Sequence, residues 1–175
     1  MTRPIIADAS PLIGLGAAGA FGLMRELFGT VTITRTVLEE VRSGGKLPGA
    51  AELEAALADG WIRVAPTPMG TWRFEMLDDG EASSIALALE RAGASPPLLL
   101  MDDARGREHA AAHGLETLDL PGLLLAAKRD GHVDRLLPLF ERLARRGFTV
   151  PEESVRAVLA KAGEAPPRRT GGASG

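Results

Sequence analysis

The sequence places acidic side chains at four separated points where a predicted strand ends or the helix after it begins. They are, in chain order, Asp8, Glu40, Glu81, Asp102 and Asp103. Carboxylate oxygens are the ligands that hard divalent cations prefer in proteins, with Mg²⁺ the first choice and Mn²⁺ a close second. The chain has no cysteine, which excludes disulfides, thiolate metal sites and cysteine nucleophiles. The acidic residues therefore predict an oxygen-only metal site.

The elements that must bring these acids together alternate between strand and helix. Apolar and β-branched runs predict strands at 3–8, 31–34, 61–66, 97–101 and 115–120. Helical patterns are found at 10–19, 21–29, 36–45, 48–60, 78–93 and 104–114, and then at 121–130, 132–146 and 151–162. This alternation predicts an α/β fold with a mainly parallel sheet. Because ligands bind outside the carboxyl ends of such strands, we expect the acids to meet at one edge.

The chain has 175 residues, enough for one domain, which we place at 1–150. A C-terminal helix is predicted at 151–162, and the stretch 163–175 is rich in Pro, Gly and Ser without an apolar anchor, which predicts a disordered tail. The uncharged run 9–24 is short for a membrane span and follows Asp8, so we assign it to the fold. The lack of cysteine fits a cytoplasmic location.

Several of the acids also have a purely structural explanation. Ser10 is placed to cap the first helix, with Pro11 at its first position, which leaves Asp8 to bond amides of the turn or to bind metal. Thr36 and Glu39 form a capping-box pattern. Glu40 then has no capping role and lies about 100° around the helix.

The later acids have comparable alternatives. Asp78 and Glu81 also have capping-box spacing, so Glu81 is explained equally well by structure or function. One of Asp102 and Asp103 is expected to cap the next helix, with Asp102, directly past the strand, favoured as the metal ligand. Arg107 is placed either to contact phosphate or to pair with Asp103 four residues earlier.

The charge distribution favours a polyanionic substrate. The net charge is −3, with −7 over residues 1–127 and +4 over 128–175, which is unlike a uniformly basic nucleic-acid binder. Without the five acids named above, the rest of the chain has a net charge of +2. A mildly positive body around a metal-filled acidic pocket suits a phosphate-rich substrate, which Arg105 and Arg107 could contact.

Three other kinds of site fit the residues less well. A receiver domain has its acidic pair after the first strand, whereas the doublet here comes late. A haloacid-dehalogenase-type phosphatase needs Asp-x-Asp there, and Ser10 occupies the second position. His109 and His113 have a spacing that can bind zinc, but the stretch lacks a catalytic Glu between them, which favours a solvated helix face.

Four segments, in this order and spacing, resemble the PIN-domain family, in particular a PIN-like subgroup related to the VapC-type toxins of toxin–antitoxin pairs. They are IIADASPLIGL, ITRTVLEEV, DGEASSIALALE and LLLMDDARGREHA, and the later LLLAAKRDGHVDRLLPLFERLARRGF is also similar. The resemblance covers about residues 4–150. Two positions depart from the subgroup: Thr34 stands where it has Pro, and LDLPG (118–122) where it has a Gly-Thr pair, leaving Asp119 as an additional acid.

The resemblance implies a three-layer α/β/α sandwich with Mg²⁺ or Mn²⁺ bound by an acidic cluster, and cleavage of RNA phosphodiesters. It assigns metal-binding and catalytic roles to the acids at the matching positions, which are Asp8, Glu40, Glu81 and Asp102 or Asp103. It also implies that Ser10 helps to hold the first acid, Asp8. It also implies a small antitoxin partner and self-association into a homodimer. We therefore expect a metal-dependent endoribonuclease that is the toxin of such a pair. The alternative is a catalytically weak PIN-like module that binds RNA or protein.

Overall fold

The computed structural model describes residues 3–68, 74 and 76–164. This part of the chain contains strands β1 (Ile5–Ala7), β2 (Val31–Thr34), β3 (Ile62–Ala65), β4 (Leu98–Leu100) and β5 (Glu116–Leu118). Its helices are α1 (Ala9–Ala18), α2 (Leu23–Phe28), α3 (Arg35–Ser43), α4 (Ala50–Ala58), α5 (Asp79–Glu90), α6 (Ala104–Ala112), α7 (Leu120–Arg129), α8 (Leu137–Arg145) and α9 (Glu152–Lys161).

The five strands form one parallel sheet in the order β3-β2-β1-β4-β5. β1 lies at its centre, with Ile6 paired to Thr32 of β2 on one side and to Leu99 of β4 on the other. The chain therefore moves outward first in one direction, through β2 and β3, and then in the other, through β4 and β5. The crevice for ligands in such a sheet lies where the direction changes, at the carboxyl ends of β1 and β4.

Helices cover both faces of the sheet, because successive strand residues point to opposite sides. Ile5 and Ala7 face a large core that also contains α1, α4, α7 and α8. Ile6 and Leu99 face a smaller core formed with α5 and α6. The predicted α/β fold with a mainly parallel sheet is confirmed, as a three-layer α/β/α sandwich. None of the helices in the described ranges is both long and apolar enough to cross a membrane.

Helix α5 is buried more completely than its sequence pattern indicates. The pattern predicts one apolar stripe, Ala82, Ile85, Ala86 and Leu89, whereas every residue from 83 to 88 is buried. The reason is that α5 lies on the sheet between α3 and α6, so neighbours cover three of its sides. Its two buried serines, Ser83 and Ser84, are therefore held inside the fold, on the side of the acidic residues.

The predicted caps of α1 and α3 are wrong, because each helix begins one residue earlier than its sequence pattern indicates. α1 begins at Ala9 with Asp8 in the N-cap position, so Ser10 is inside the helix and does not cap it. α3 begins at Arg35 and is capped by Thr34, so Thr36 and Glu39 form no capping box. α8 begins at Leu137, with Pro138 in its first turn, where proline is tolerated.

The C-terminal part of the described chain packs into the same core as the rest. Val158 and Leu159 of α9 are buried in the large cluster. Glu164, which the sequence placed in a disordered tail, is held by the Lys128 ammonium at 2.6 Å and by the backbone N–H groups of Leu136 at 2.7 Å and Leu137 at 2.9 Å. Residues 165–175 of the predicted tail lie outside the described residues.

The Glu164 carboxylate connects α7 and the start of α8 to the segment that follows α9. Its removal therefore tests how strongly this packing stabilises the fold. Burial raises the pKa of this carboxyl, but the hydrogen bonds from Lys128, Leu136 and Leu137 outweigh burial and lower it. Glu164→Ala leaves these donors without a partner and is expected to reduce the free energy of unfolding by about 2 kcal/mol at pH 7.

The measurement is urea denaturation of both proteins at pH 7 and at pH 3.5. Since the lowered pKa stabilises the fold only when the carboxyl is ionised, the difference should shrink as the pH falls below the usual range of a glutamate. Glu153→Ala, at an exposed position of α9, serves as the control. Equal stability of Glu164→Ala and the wild type at pH 7 would contradict the proposed role.

Candidate metal centre

Asp8 occupies the centre of the carboxyl edge of the sheet. Its backbone N–H donates to the carbonyl oxygen of Leu100 at 3.0 Å, which continues the pairing of β1 with β4 by one residue. Its side chain is only 4% exposed. Although Asp8 is in the N-cap position of α1, its carboxylate forms no capping hydrogen bond. The carboxylate is therefore available for another partner.

The surroundings of Asp8 disfavour its negative charge. Burial, opposed by the backbone amide of Ala9, raises the pKa of this carboxyl, and the negative charges of Glu40, Asp78 and Glu81 raise it further, to about 8. The Ser84 hydroxyl donates to Oδ1, at a long 3.4 Å. A buried carboxylate facing other acids at this edge is the arrangement that a bound cation stabilises.

The acids approach one another most closely at Gly80, the second residue of α5. A Cβ atom at this position would lie 2.3 Å from Glu40 Oε2, 3.3 Å from Asp78 Oδ1 and 3.5 Å from Asp8 Oδ1. Three carboxylate oxygens therefore surround one small space that a side chain would fill. The predicted meeting of Asp8 and Glu40 is thus present in the structure, and Asp78 joins them.

Glu40 reaches this space from α3. Partial burial and the charge of Asp78 raise the pKa of its carboxyl. On its solvent side lies an open cavity of about 370 Å³ between α3 and the start of α5, which Glu39 and Asp79 also line. Glu39 and Glu40 are both exposed, and Glu39 has no capping role; of the two, Glu40 has the carboxylate oxygen that lies nearest to the Cβ position of Gly80.

Buried hydroxyl groups fix α3 against α5. The Thr34 Oγ1 atom accepts a hydrogen bond from the Val37 N–H at 3.1 Å, which caps α3, and lies 2.8 Å from Ser83 Oγ. The Ser83 hydroxyl also donates to the Gly80 carbonyl at 2.9 Å. Thr34, which stands where the resembling subgroup has Pro, thereby connects the helix of Glu40 to the turn that contains Gly80.

Glu81 belongs to a capping box that the sequence predicts and the structure confirms. The Asp78 Oδ1 atom accepts from the Glu81 N–H at 2.8 Å, and Glu81 Oε2 accepts from the Asp78 N–H at 3.3 Å. Burial raises the pKa of Glu81 to about 6, with further contributions from the charges of Asp78, Asp103 and Glu40. Glu81 is therefore both a capping residue and a member of the acidic cluster.

Asp102 and Asp103 have different partners. Asp103 is the N-cap of α6, and its Oδ1 atom accepts from the Gly106 N–H at 2.8 Å. Asp102 Oδ1 accepts from the Leu120 N–H at 2.6 Å, while its Oδ2 atom is buried without a hydrogen-bond partner. Burial raises the pKa of the Asp102 carboxyl. The hydrogen bond from the Leu120 N–H and the nearby Ser10 hydroxyl act in the opposite direction and lower it, but burial has the larger effect. Asp102 thus has a carboxylate oxygen without a partner.

The predicted substrate contacts are only partly brought together. Ser10 and Arg107 line a cavity of about 140 Å³ next to Asp102. The Ser10 hydroxyl is near Asp102, whereas the serine that contacts Asp8, the first acid, is Ser84. Arg107 pairs with Asp119 at 2.8 Å, so of its two predicted alternatives the ion pair with Asp103 is not formed. This happens because the pairing of β4 with β5 brings the start of α7 beside α6. Arg105 is exposed at the start of α6.

The two histidines of α6 pack against an aromatic ring. The rings of His109 and His113 each lie 5.8 Å from that of Phe74 in edge-to-face geometry, and the His113 Nδ1 atom is 2.8 Å from the His109 carbonyl oxygen. Zinc binding at this pair therefore has no support among the described residues.

The acidic cluster fits a hard cation by the chemistry of its ligands. The support comes from the space at Gly80, the unpartnered Asp102 Oδ2 and the buried Asp8. Within the ranges the structure describes, no group of three acidic or histidine side chains has its oxygen or nitrogen atoms arranged as a ready-made metal site, although carboxylate oxygens of Glu40, Asp78 and Asp8 lie around the Cβ position of Gly80.

The sequence analysis names Asp119 as an additional acid but does not include Asp78 in the site. Asp78 was assigned only to the capping box, and the acidic doublet at 78–79 is the signal that could have identified it.

A search of the curated proteins found no match to this sequence. The sequence profile of the PIN-domain family matches residues 4–164, which includes all the acids described above and every strand and helix of the described chain. The parallel five-stranded sheet with acids at its carboxyl edge agrees with that match. The chain therefore belongs to the PIN-domain family.

Proposed function

We propose that this protein is a divalent-metal-dependent endoribonuclease that hydrolyses RNA phosphodiesters. PIN domains are in general nucleases, which supports a nucleic-acid substrate. The observation that carries the proposal is the buried Asp8 carboxylate facing Glu40 and Asp78 across Gly80, without a basic side chain among the groups that shift its pKa. A cation is the partner that removes this electrostatic conflict.

Four carboxylates are proposed to hold Mg²⁺ or Mn²⁺, and the ion is expected to bind one or more water molecules. They are Asp8, Glu40, Glu81 and Asp102. When bound, a divalent ion lowers the pKa of a coordinated water and neutralises charge on the attacked phosphate. Asp8 is the central ligand, because it comes from the middle strand and is the most deeply buried. Asp103 is assigned to capping α6.

The basic residues near the edge are proposed to contact the substrate. Arg105 is exposed at the start of α6, and Arg107 lines the cavity beside Asp102 while Asp119 orients its guanidinium. Guanidinium groups bind phosphate oxygens by charge-assisted hydrogen bonds. Ser10, in the same cavity, is proposed to hold Asp102 or to contact the ribose.

The biological setting is proposed from the resemblance to VapC-type toxins. On that basis the protein acts in the cytoplasm as the toxin of a toxin–antitoxin pair, is neutralised by a small antitoxin and forms a homodimer. The alternative function is a PIN-like binding module with little activity, which the lack of a preformed three-ligand group in the described residues favours.

Removing the Asp8 carboxylate tests the nuclease directly. Asp8→Asn keeps the size of the side chain but removes the central anionic ligand, so metal-dependent cleavage of a labelled single-stranded RNA should fall by at least about 100-fold. Calorimetric Mn²⁺ affinity should fall with it. Asp134→Asn, which changes an exposed acid, should retain both properties.

Undiminished cleavage by Asp8→Asn would contradict the proposed mechanism. RNA binding by the wild type without Mn²⁺ binding and without cleavage would support the binding module.

The raised pKa of Asp8 predicts how the stability of the metal-free protein depends on pH. The folded state holds this proton up to about pH 8, whereas the unfolded chain releases it near 3.8, so the free energy of unfolding falls as pH rises through this window. Asn cannot ionise, so Asp8→Asn should be more stable than the wild type at pH 8 by more than about 1.4 kcal/mol, the equivalent of one pKa unit. At pH 4 the two should be similar.

Urea denaturation in the presence of EDTA measures the free energies of unfolding of the wild type and Asp8→Asn at pH 8 and pH 4. Asp134→Asn is again the control. A difference between Asp8→Asn and the wild type that does not change with pH would show that repulsion at this edge does not limit stability.

The adjacent residues Asp102 and Asp103 allow a paired comparison of a proposed ligand with a helix cap. Asp102→Asn should weaken Mn²⁺ binding by at least about 10-fold, because it removes a ligand charge. Asp103→Asn should leave Mn²⁺ binding unchanged, since Asn also caps helices, and Asp103→Ala should cost about 1 kcal/mol of stability. An equal loss of Mn²⁺ affinity in Asp102→Asn and Asp103→Asn would overturn this division.

A further inference from the structure

Gly80 lies where no side chain is tolerated without moving a carboxylate. Its backbone is helical, and it is not one of the described glycines with a positive φ, so backbone conformation does not require glycine here. Alanine is the better helix former at such a position. The sequence therefore gives up helix propensity at the second residue of α5, and the reason must lie in the space around it.

The three atoms nearest to a Cβ at residue 80 are carboxylate oxygens, which is true of no other described glycine. At Gly16 the corresponding atoms are the backbone of Pro48 and Gly49, and at Gly106 they belong to the buried side chain of Met101. Those two glycines permit close packing of the fold. Gly80 instead permits Glu40 Oε2 to lie 2.3 Å from the Cβ position.

We propose that Gly80 is a positioning residue of the metal centre: its missing side chain lets the Glu40 carboxylate lie beside Asp8 and Asp78. The inference rests on the proposed function, because it assigns Gly80 to the same site. Glu40 Oε2 is the end of a flexible side chain, and the open cavity on its solvent side gives it room to move. A methyl group at residue 80 would therefore displace Glu40 and leave the backbone in place.

Gly80→Ala separates positioning from folding. The variant should unfold, without metal, at a urea concentration equal to or higher than that of the wild type, while its calorimetric dissociation constant for Mn²⁺ rises at least about 10-fold. Gly22→Ala is the matched control, since Gly22 has a φ of −63° and nothing within 4 Å of its Cβ position. It should change neither value.

A double-mutant cycle shows whether Gly80 acts through Glu40. In a Glu40→Ala background the obstacle is absent, so adding Gly80→Ala should change the Mn²⁺ dissociation constant by less than about twofold. The same loss in both backgrounds would overturn the inference, because Gly80 would then act on another group. Unchanged Mn²⁺ binding in the single variant would also overturn it.

A measurement without metal distinguishes failure of this inference from failure of the proposed function. A crystal structure of metal-free Gly80→Ala should show the Glu40 carboxylate moved away from Asp8 and Asp78, with α5 unchanged. If the wild type binds no Mn²⁺, the metal centre is wrong, yet a displaced Glu40 would still support the positioning role. A Glu40 carboxylate at its original place would overturn that role whatever the metal result.

Discussion

Burial of the Asp8 carboxylate is the constraint on which the carboxyl edge of this fold depends. The residue follows the central strand, its N–H group is still part of the sheet, and its side chain is covered by α5. A carboxylate in such a place is costly to ionise, and the acids of α3 and α5 increase that cost. A proton retained on Asp8, or a cation among these acids, would relieve this conflict.

The ends of the helices reduce this conflict without removing it. α3, α5, α6 and α7 all begin near the carboxyl edge, and the side chains of Thr34, Asp78, Asp103 and Asp119 cap them. Helix N-termini carry partial positive charge and stabilise nearby anions. α1 is the exception, since Asp8 in its N-cap position forms no capping bond. Asp8, the N-cap acid whose side chain does not cap its helix, is therefore the one at the centre of the carboxyl edge.

The sequence predicts the layers of this fold well because strand and helix periods differ strongly, and it predicts Asp8, Glu40 and Glu81 as neighbours because parallel strands end together. It predicts the capping box of α5 but not the caps of α1 and α3. The errors at Ser10 and Thr36 arose because both helices start directly after a strand, without the short turn that the capping patterns assume. The Arg107–Asp119 pair depends on the adjacency of β4 and β5, which no local pattern records.

At the doublet of Asp102 and Asp103 the two carboxylates have different partners: Asp103 caps α6, and Asp102 keeps one oxygen without a hydrogen-bond partner. A capping oxygen must point along the helix toward the amide three residues later, as Asp103 Oδ1 does toward the Gly106 N–H. Asp102, directly after β4, instead accepts from the Leu120 N–H at 2.6 Å with its Oδ1 atom. Asp78 and Glu81 combine helix capping with membership of the acidic cluster, because each uses a carboxylate oxygen for the helix and retains its charge for the cluster. Adjacent acids thus let helix capping and the acidic cluster share one short segment.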